Sequence, residues 1–200
     1  MSYEHTKETR NGYTLRILTD DDPDSPANWD NLGQIAYCSD RYTLGTEHVS
    51  KDRLDEISEK IQSGEYIGLP VYAYIHGGVT ISTGAFSCHW DSGQCGFVYC
   101  TAAKGLEEFG TKRDRLNAAE GKFRKGTGSL RAKALKCLIG EVKTFDQYLT
   151  GDVYGYTITD KDGDVVDSCW SFYGIECAEE EARSALNYWA TKQGELFETA

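Results

Sequence analysis

Proline is scarce in this chain: three residues, at positions 23, 26 and 70, among 200. A secreted or linker-rich protein carries more, so proline-stiffened spacers are excluded. No apolar run approaches the length that spans a bilayer, and the N-terminal MSYEHTKETRNG is polar, without a signal-type hydrophobic region. Positive charge is not in excess either. The net charge is −11, which argues against non-specific binding to nucleic acid or to an anionic membrane. A disulfide framework is also missing, because seven cysteines (38, 88, 95, 100, 137, 169, 177) make an odd, irregularly spaced set. They read first as small buried hydrophobes in a reducing compartment. The expected location is therefore the cytosol, away from membranes.

What is present suits a globular fold: 40% hydrophobic and 26% charged residues, with 24 aromatics of which 13 are tyrosine. The length predicts one domain, residues 13–192, between polar tails at 1–12 and 193–200. Charge is split along the chain. Residues 104–136 hold ten Lys/Arg against four acids, +6, which leaves the remainder at −17. That basic band on an acidic body is the clearest electrostatic feature, although a solvated helix face explains it equally well.

The hydrophobic patterning predicts an α+β fold. YTLRILT (13–19) alternates as a half-buried strand, and the proline- and aspartate-rich stretch after it is an exposed loop. LGQIAYC is compatible with helix or strand. Ser50 caps a helix through about Gln62. LPVYAYIH (69–76) and VTISTGAF (79–86) flank Gly77-Gly78 as a hairpin, and GFVYC adds a third strand. AAKGLEEFG reads as a short helix or turn. A strong helix capped by Ser129 carries Leu135, Leu138, Ile139, Val142, Phe145 and Leu149 on one face and stops at Thr150-Gly151. A second hairpin turns at residues 160–163, and a last helix spans about 177–192 with Ala182, Leu186 and Trp189 inward. Tight turns between strands favour an antiparallel sheet, built from two hairpins or a meander and packed with about three helices.

Four motifs raise chemistry. FSCHWDSGQCGFVYC (86–100) offers Cys88, His89, Cys95 and Cys100 to zinc, but adjacent Cys88 and His89 point to opposite faces of an extended chain. No metal and no cofactor is expected. A thiol nucleophile there would be Cys88 or Cys95 with His76 or His89, while a loop ordered by Trp90 and Asp91-Ser92-Gly93 fits every residue. DKDGD (160–164) lacks the calcium-loop glycine and glutamate spacing and reads as a hairpin turn. GKFRKGTGS (121–129) combines glycines, basic residues and a helix start, the ingredients of an anion site. It is not a P-loop, and a surface loop is its plainer reading. Any phosphorylated ligand is expected at Lys122, Arg124, Lys125, Thr127 and Ser129. The acidic loop 20–30 and Glu179–Glu181 could mimic phosphates or simply supply solubility.

NLGQIAYCSDRYTLG (31–45), FSCHWDSGQCGFVY (86–99) and DQYLTGDVYGY (146–156) together resemble a family of small proteins encoded by bacteriophages and other mobile elements. The resemblance runs from about residue 13 to 190. In that family the positions of His89 and Cys95 are often Pro and an apolar residue, so this chain departs from the pattern at two of the zinc candidates. The family has no assigned chemistry. The resemblance implies a context, action on host machinery and defence systems. The leading expectation is accordingly a non-catalytic protein that binds and inhibits a host defence factor, a protein or nucleoprotein, through Trp29, Tyr42, Trp90, Asp91, Tyr148 and Trp170. Two alternatives stand beside it: a module sequestering a nucleotide or other phosphorylated signal, and a thiol- or histidine-dependent hydrolase around residues 76–95.

Overall fold

The computed structural model describes residues 3–88, 90–119 and 128–198. Strands β1 (Glu4–Arg10), β2 (Tyr13–Thr19), β3 (Gln34–Tyr37) and β4 (Glu47–His48) precede helix α1 (Lys51–Ser63). Strands β5 (Tyr66–Ile75), β6 (Val79–Ser82) and β7 (Ser92–Thr101) follow. Helices α2 (Ala102–Phe109), α3 (Lys112–Ala119) and α4 (Gly128–Thr150) come next, then strands β8 (Val153–Thr159) and β9 (Val165–Tyr173) and helix α5 (Ile175–Glu198). The chain divides into two compact units, one of residues 1–25 with 147–200 and one of residues 26–146. Helices and mainly antiparallel sheets share the chain, so the α+β class is as expected. AAKGLEEFG, read as a short helix or turn, forms α2, and α3 is a further short helix.

In the first unit the sheet order is β1-β2-β8-β9, antiparallel throughout. The alternation of Tyr13, Leu15 and Ile17 places all three on one face, with Tyr154, Tyr156 and Ile158 beside them from β8. Ala178, Ala182 and Leu186, four residues apart on α5, cover that face. Each of the fully buried Leu15, Ile17, Ile158 and Leu186 contributes about 1.5–3 kcal/mol by leaving water. Residues 4–10, expected to be a polar tail, instead form β1. This edge strand is held by its ladder with β2, and its Glu, Lys and Arg side chains guard the open edge without leaving an apolar pattern to read. Helix α5 likewise runs on to Glu198, past the boundary expected at 192.

In the second unit the order is β4-β3-β7-β5-β6; the short β3–β4 pairing is parallel and the other pairings described are antiparallel. LGQIAYC therefore resolves as strand, with Ile35, Ala36 and Tyr37 all buried because both faces of β3 are covered. Ser50 caps α1 by accepting from Arg53 N–H at 3.3 Å, and Gly64 ends the helix at φ 87°. Thr111 and Asp114 make a reciprocal cap on α3: Thr111 N–H and hydroxyl donate to the Asp114 carboxylate, and Asp114 N–H donates back to the hydroxyl. On α4 the buried stripe is Leu130, Ala134, Leu138, Val142 and Phe145. Ile139, expected inward, is 45% exposed because the stripe centres on Leu138 and Val142, one step around the helix. Edge strand β6 is tied down by Asp146, which accepts from the Thr80 hydroxyl at 2.6 Å and from Ile81 N–H at 2.7 Å.

Two glycines of β7 separate packing from permissiveness. A Cβ on Gly96 would lie 1.9 Å from the Ala36 carbonyl oxygen, a backbone atom that cannot move without breaking the β3–β7 ladder. A Cβ on Gly93 meets nothing within 4 Å. Gly96→Ala is therefore expected to cost about 3 kcal/mol or more in urea denaturation, and Gly93→Ala less than about 1 kcal/mol.

Candidate ligand cavity

The second unit contains a cavity of about 580 Å³, within the range of small-molecule sites. Its apolar wall comes from Trp29, Ile35, Phe109 and Phe145, and α4 turns Lys133, Lys136, Gly140 and Thr144 toward it. Those α4 positions follow the three- and four-residue spacing of one helix face.

The opposite wall is built by the chain entering β3, and its shape depends on Glu141. The two carboxylate oxygens of Glu141 accept from Leu32 N–H at 2.6 Å and Gly33 N–H at 3.0 Å. The Asn31 side-chain amide turns back to the Pro26 carbonyl at 2.7 Å, and Lys104 Nζ donates to the Asn31 carbonyl at 2.6 Å. Close approach here requires glycine at 33, where a Cβ would fall 2.2 Å from a Leu138 methyl. Trp29, 44% exposed, stands in the cavity wall.

The cavity wall carries charges of both signs. The Glu141 carboxylate is engaged by backbone donors, while Lys133 and Lys136 are exposed and have no ion-pair partner among the described residues. Gly140 leaves open space beside them, since a Cβ there meets no atom within 4 Å. Cys137 also lines the cavity, with its thiol 3.8 Å from Glu141, and burial followed by that carboxylate's charge pushes its pKa up. A raised thiol pKa disfavours the thiolate that a nucleophile needs.

The residues expected to bind anions fall differently. Lys122, Arg124, Lys125 and Thr127 lie outside the described residues; Ser129 is in the first turn of α4, and its side chain is also outside them. The described part of the basic band is divided: Lys133 and Lys136 edge the cavity, Lys104 supports its wall, and Arg115 donates to the Glu107 carbonyl at 3.2 Å.

The residues expected to meet a partner are likewise dispersed. Trp29, Tyr42 and Trp90 fall in three separate depressions of the second unit. The Arg41 guanidinium sits 5.1 Å from the Tyr42 ring centre. Trp90 is 96% exposed. In the first unit, Tyr148 is half-buried and the Trp170 ring lies on Gly155, where a Cβ would be 2.1 Å from it. Several marked segments are joints: Gly151, at φ 74°, ends α4, and the Gln147 side-chain amide donates to Asp152 at 3.2 Å.

The Cys/His segment does not assemble a thiol–imidazole pair among the described residues. Asp91 Oδ2 meets His76 Nδ1 at 3.2 Å and the Cys88 thiol at 3.8 Å, so a carboxylate is the partner of both. Burial pushes the Cys95 and Cys100 thiols up to about 11, away from thiolate at neutral pH. His89 lies outside the described residues. Among those described, no group of three or more His, Cys, Asp or Glu is placed to hold a metal. DKDGD is a hairpin turn: Asp160 Oδ1 accepts from Asp162 and Asp164 N–H, and Gly163 has φ 91°. Within the acidic loop, Asp20 is structural, accepting from Ser171 N–H at 3.1 Å and from its hydroxyl at 3.3 Å. Ser171 has φ 65°, a conformation a serine holds only with such support.

No described helix is long and apolar enough to cross a membrane. Comparison with known proteins returns no matching family model, no similar curated protein and no similar solved structure.

The Glu141 clamp is open to direct measurement. Glu141→Ala leaves two backbone donors without their acceptor and is expected to cost about 2 kcal/mol in chemical denaturation. Glu141→Gln, which retains one acceptor, should lose about half of that.

Proposed function

We propose that this chain is a non-catalytic binding protein that sequesters a small phosphorylated molecule with a flat ring, such as a nucleotide, in the cavity of the second unit. The observation that carries this reading is the pairing, within about 580 Å³, of aromatic walls with two lysines that have no described counter-ion. The Trp29 indole, part-exposed in the cavity wall, offers a ring contact to a planar group, and the Lys133 and Lys136 ammonium groups one helical turn apart offer charge-assisted hydrogen bonds to a phosphate. The resemblance to accessory proteins of phages and mobile elements supplies a purpose: withdrawing a defence signal from the host. The site differs from the one expected at residues 122–129, which supplies a neighbouring stretch of sequence and no described geometry.

A thermal-shift panel of nucleoside mono-, di- and cyclic phosphates tests this reading. A ligand at a hundredfold excess over its Kd raises the midpoint by roughly 5–10 °C. Lys133→Ala with Lys136→Ala should weaken binding at least about tenfold. Gly140→Leu, which fills the open space on α4 while removing a helix-interior glycine, should abolish binding and leave the ligand-free protein as stable or more so. A flat response of the unmodified protein to the whole panel contradicts the proposal.

A second reading, capture of a host protein or nucleoprotein, is favoured by the nearly complete exposure of Trp90 beside His76 and Asp91. Under it, Trp90→Ala lowers recovery of a stoichiometric partner from host lysate at least tenfold, while cavity variants leave recovery unchanged.

A further inference from the structure

Cys38 and Cys95 lie next to each other on neighbouring antiparallel chains. The β3–β7 register ends with Tyr37 opposite Gly96, and one residue on, Cys38 N–H donates to the Cys95 carbonyl at 3.0 Å, which sets Cys38 and Cys95 side by side. Opposed residues of such a pair share one face of the sheet, with Cα atoms about 5.5 Å apart when hydrogen-bonded. A disulfide spans Cα separations of about 4.4–6.8 Å. Both thiols are free and half-buried, and both residues line the same two depressions, of about 430 and 410 Å³. Cys95 is also the extra residue of a bulge: β5 pairs Val71 with Gly96 and Tyr72 with Gln94, skipping it. Its thiol donates to the Val71 carbonyl at 3.4 Å, a weak contact that rotation of the side chain releases.

We infer that Cys38 and Cys95 form a redox modification site that closes to an intramolecular disulfide when a small-molecule disulfide such as oxidised glutathione is the oxidant. The Cys38 thiol, deprotonated, attacks one sulfur of oxidised glutathione, forming a mixed disulfide and releasing one glutathione thiolate. The Cys95 thiol then loses its proton and attacks the Cys38 sulfur, expelling the second glutathione thiolate. Two protein thiols are oxidised and one glutathione disulfide is reduced to two thiols. Cys95 closes the bond and does not open the reaction, because burial disfavours its thiolate. The product bolts the start of the 38–46 connection to β7 three residues beyond Ser92, at the base of the segment that presents Trp90. This inference is independent of the ligand proposed for the cavity.

The test uses the reduced 200-residue chain, treated with oxidised glutathione, quenched with an alkylating agent and mapped by peptide mass spectrometry. A Cys38–Cys95 linked peptide is expected, at a rate independent of protein concentration, with Cys169 and Cys177 carrying only glutathione. Reduction should reverse it, and the oxidised form should unfold on the order of 5 °C higher. Cys38→Ser should prevent the link and leave Cys95 alkylatable; Cys95→Ala should trap glutathione on Cys38, with folding of both variants checked by circular dichroism. The inference is overturned if Cys38 and Cys95 are both alkylated in the unmodified chain after the other thiols have reacted. It is equally overturned if each carries glutathione with no link.

Discussion

The carboxylates of helix α4 hold the second unit's edges in place. Glu141 satisfies the backbone N–H groups of Leu32 and Gly33, where the chain turns into β3. One turn and a half further on, Asp146 satisfies Ile81 N–H and the Thr80 hydroxyl on edge strand β6. A half-buried N–H without an acceptor costs free energy comparable to a lost hydrogen bond, so these two side chains decide where the sheet's periphery can sit. Helix α4 also turns Lys133, Lys136 and Gly140 toward the cavity. Structural support and a cavity wall are thus two uses of one helix.

This arrangement also explains why the marked segments are spread through the sequence. NLG (31–33) is the stretch held by Glu141, with Gly33 against Leu138. In RYTLG (41–45), Gly45 lies where a Cβ would meet the Ile35 carbonyl at 2.3 Å. Gly96 in β7 and Gly151 after α4 meet equally local demands, close approach at the first and a left-handed turn at the second. Such residues are constrained by geometry whatever the protein binds. Trp90, almost wholly exposed, meets no comparable demand from packing.

Much of the fold was legible because the elements obey simple periods. Alternation in β2, the Gly77-Gly78 hairpin, the Ser50 cap and the Gly151 stop all read directly, since each depends on neighbours in sequence. β1 was missed because an exposed edge strand carries no apolar alternation; its only evidence is pairing with β2. β3 stayed open between helix and strand because a strand buried on both faces loses its period. The cavity was the least legible part. Lys133, Lys136, Gly140 and Thr144 do form a helical stripe of polar and small residues, a signal available in the sequence. Yet their meeting with Trp29, Ile35 and Phe109 is a tertiary fact, created by Glu141 reaching a segment about a hundred residues earlier. The basic residues of 121–129 stand out by composition, whereas Lys133 and Lys136, about one turn further along, line the cavity with Trp29, Phe109 and Phe145.

The central claim is that this cavity, walled by Trp29 and α4, is where a flat phosphorylated ligand resides. Backbone amide shifts recorded by NMR during titration with adenosine monophosphate and with a cyclic dinucleotide test it most directly. The account predicts saturable shifts for at least one of them, concentrated at residues 29–35, 109 and 133–144. Saturable shifts confined to other residues, or none with either compound at millimolar concentration, would contradict it.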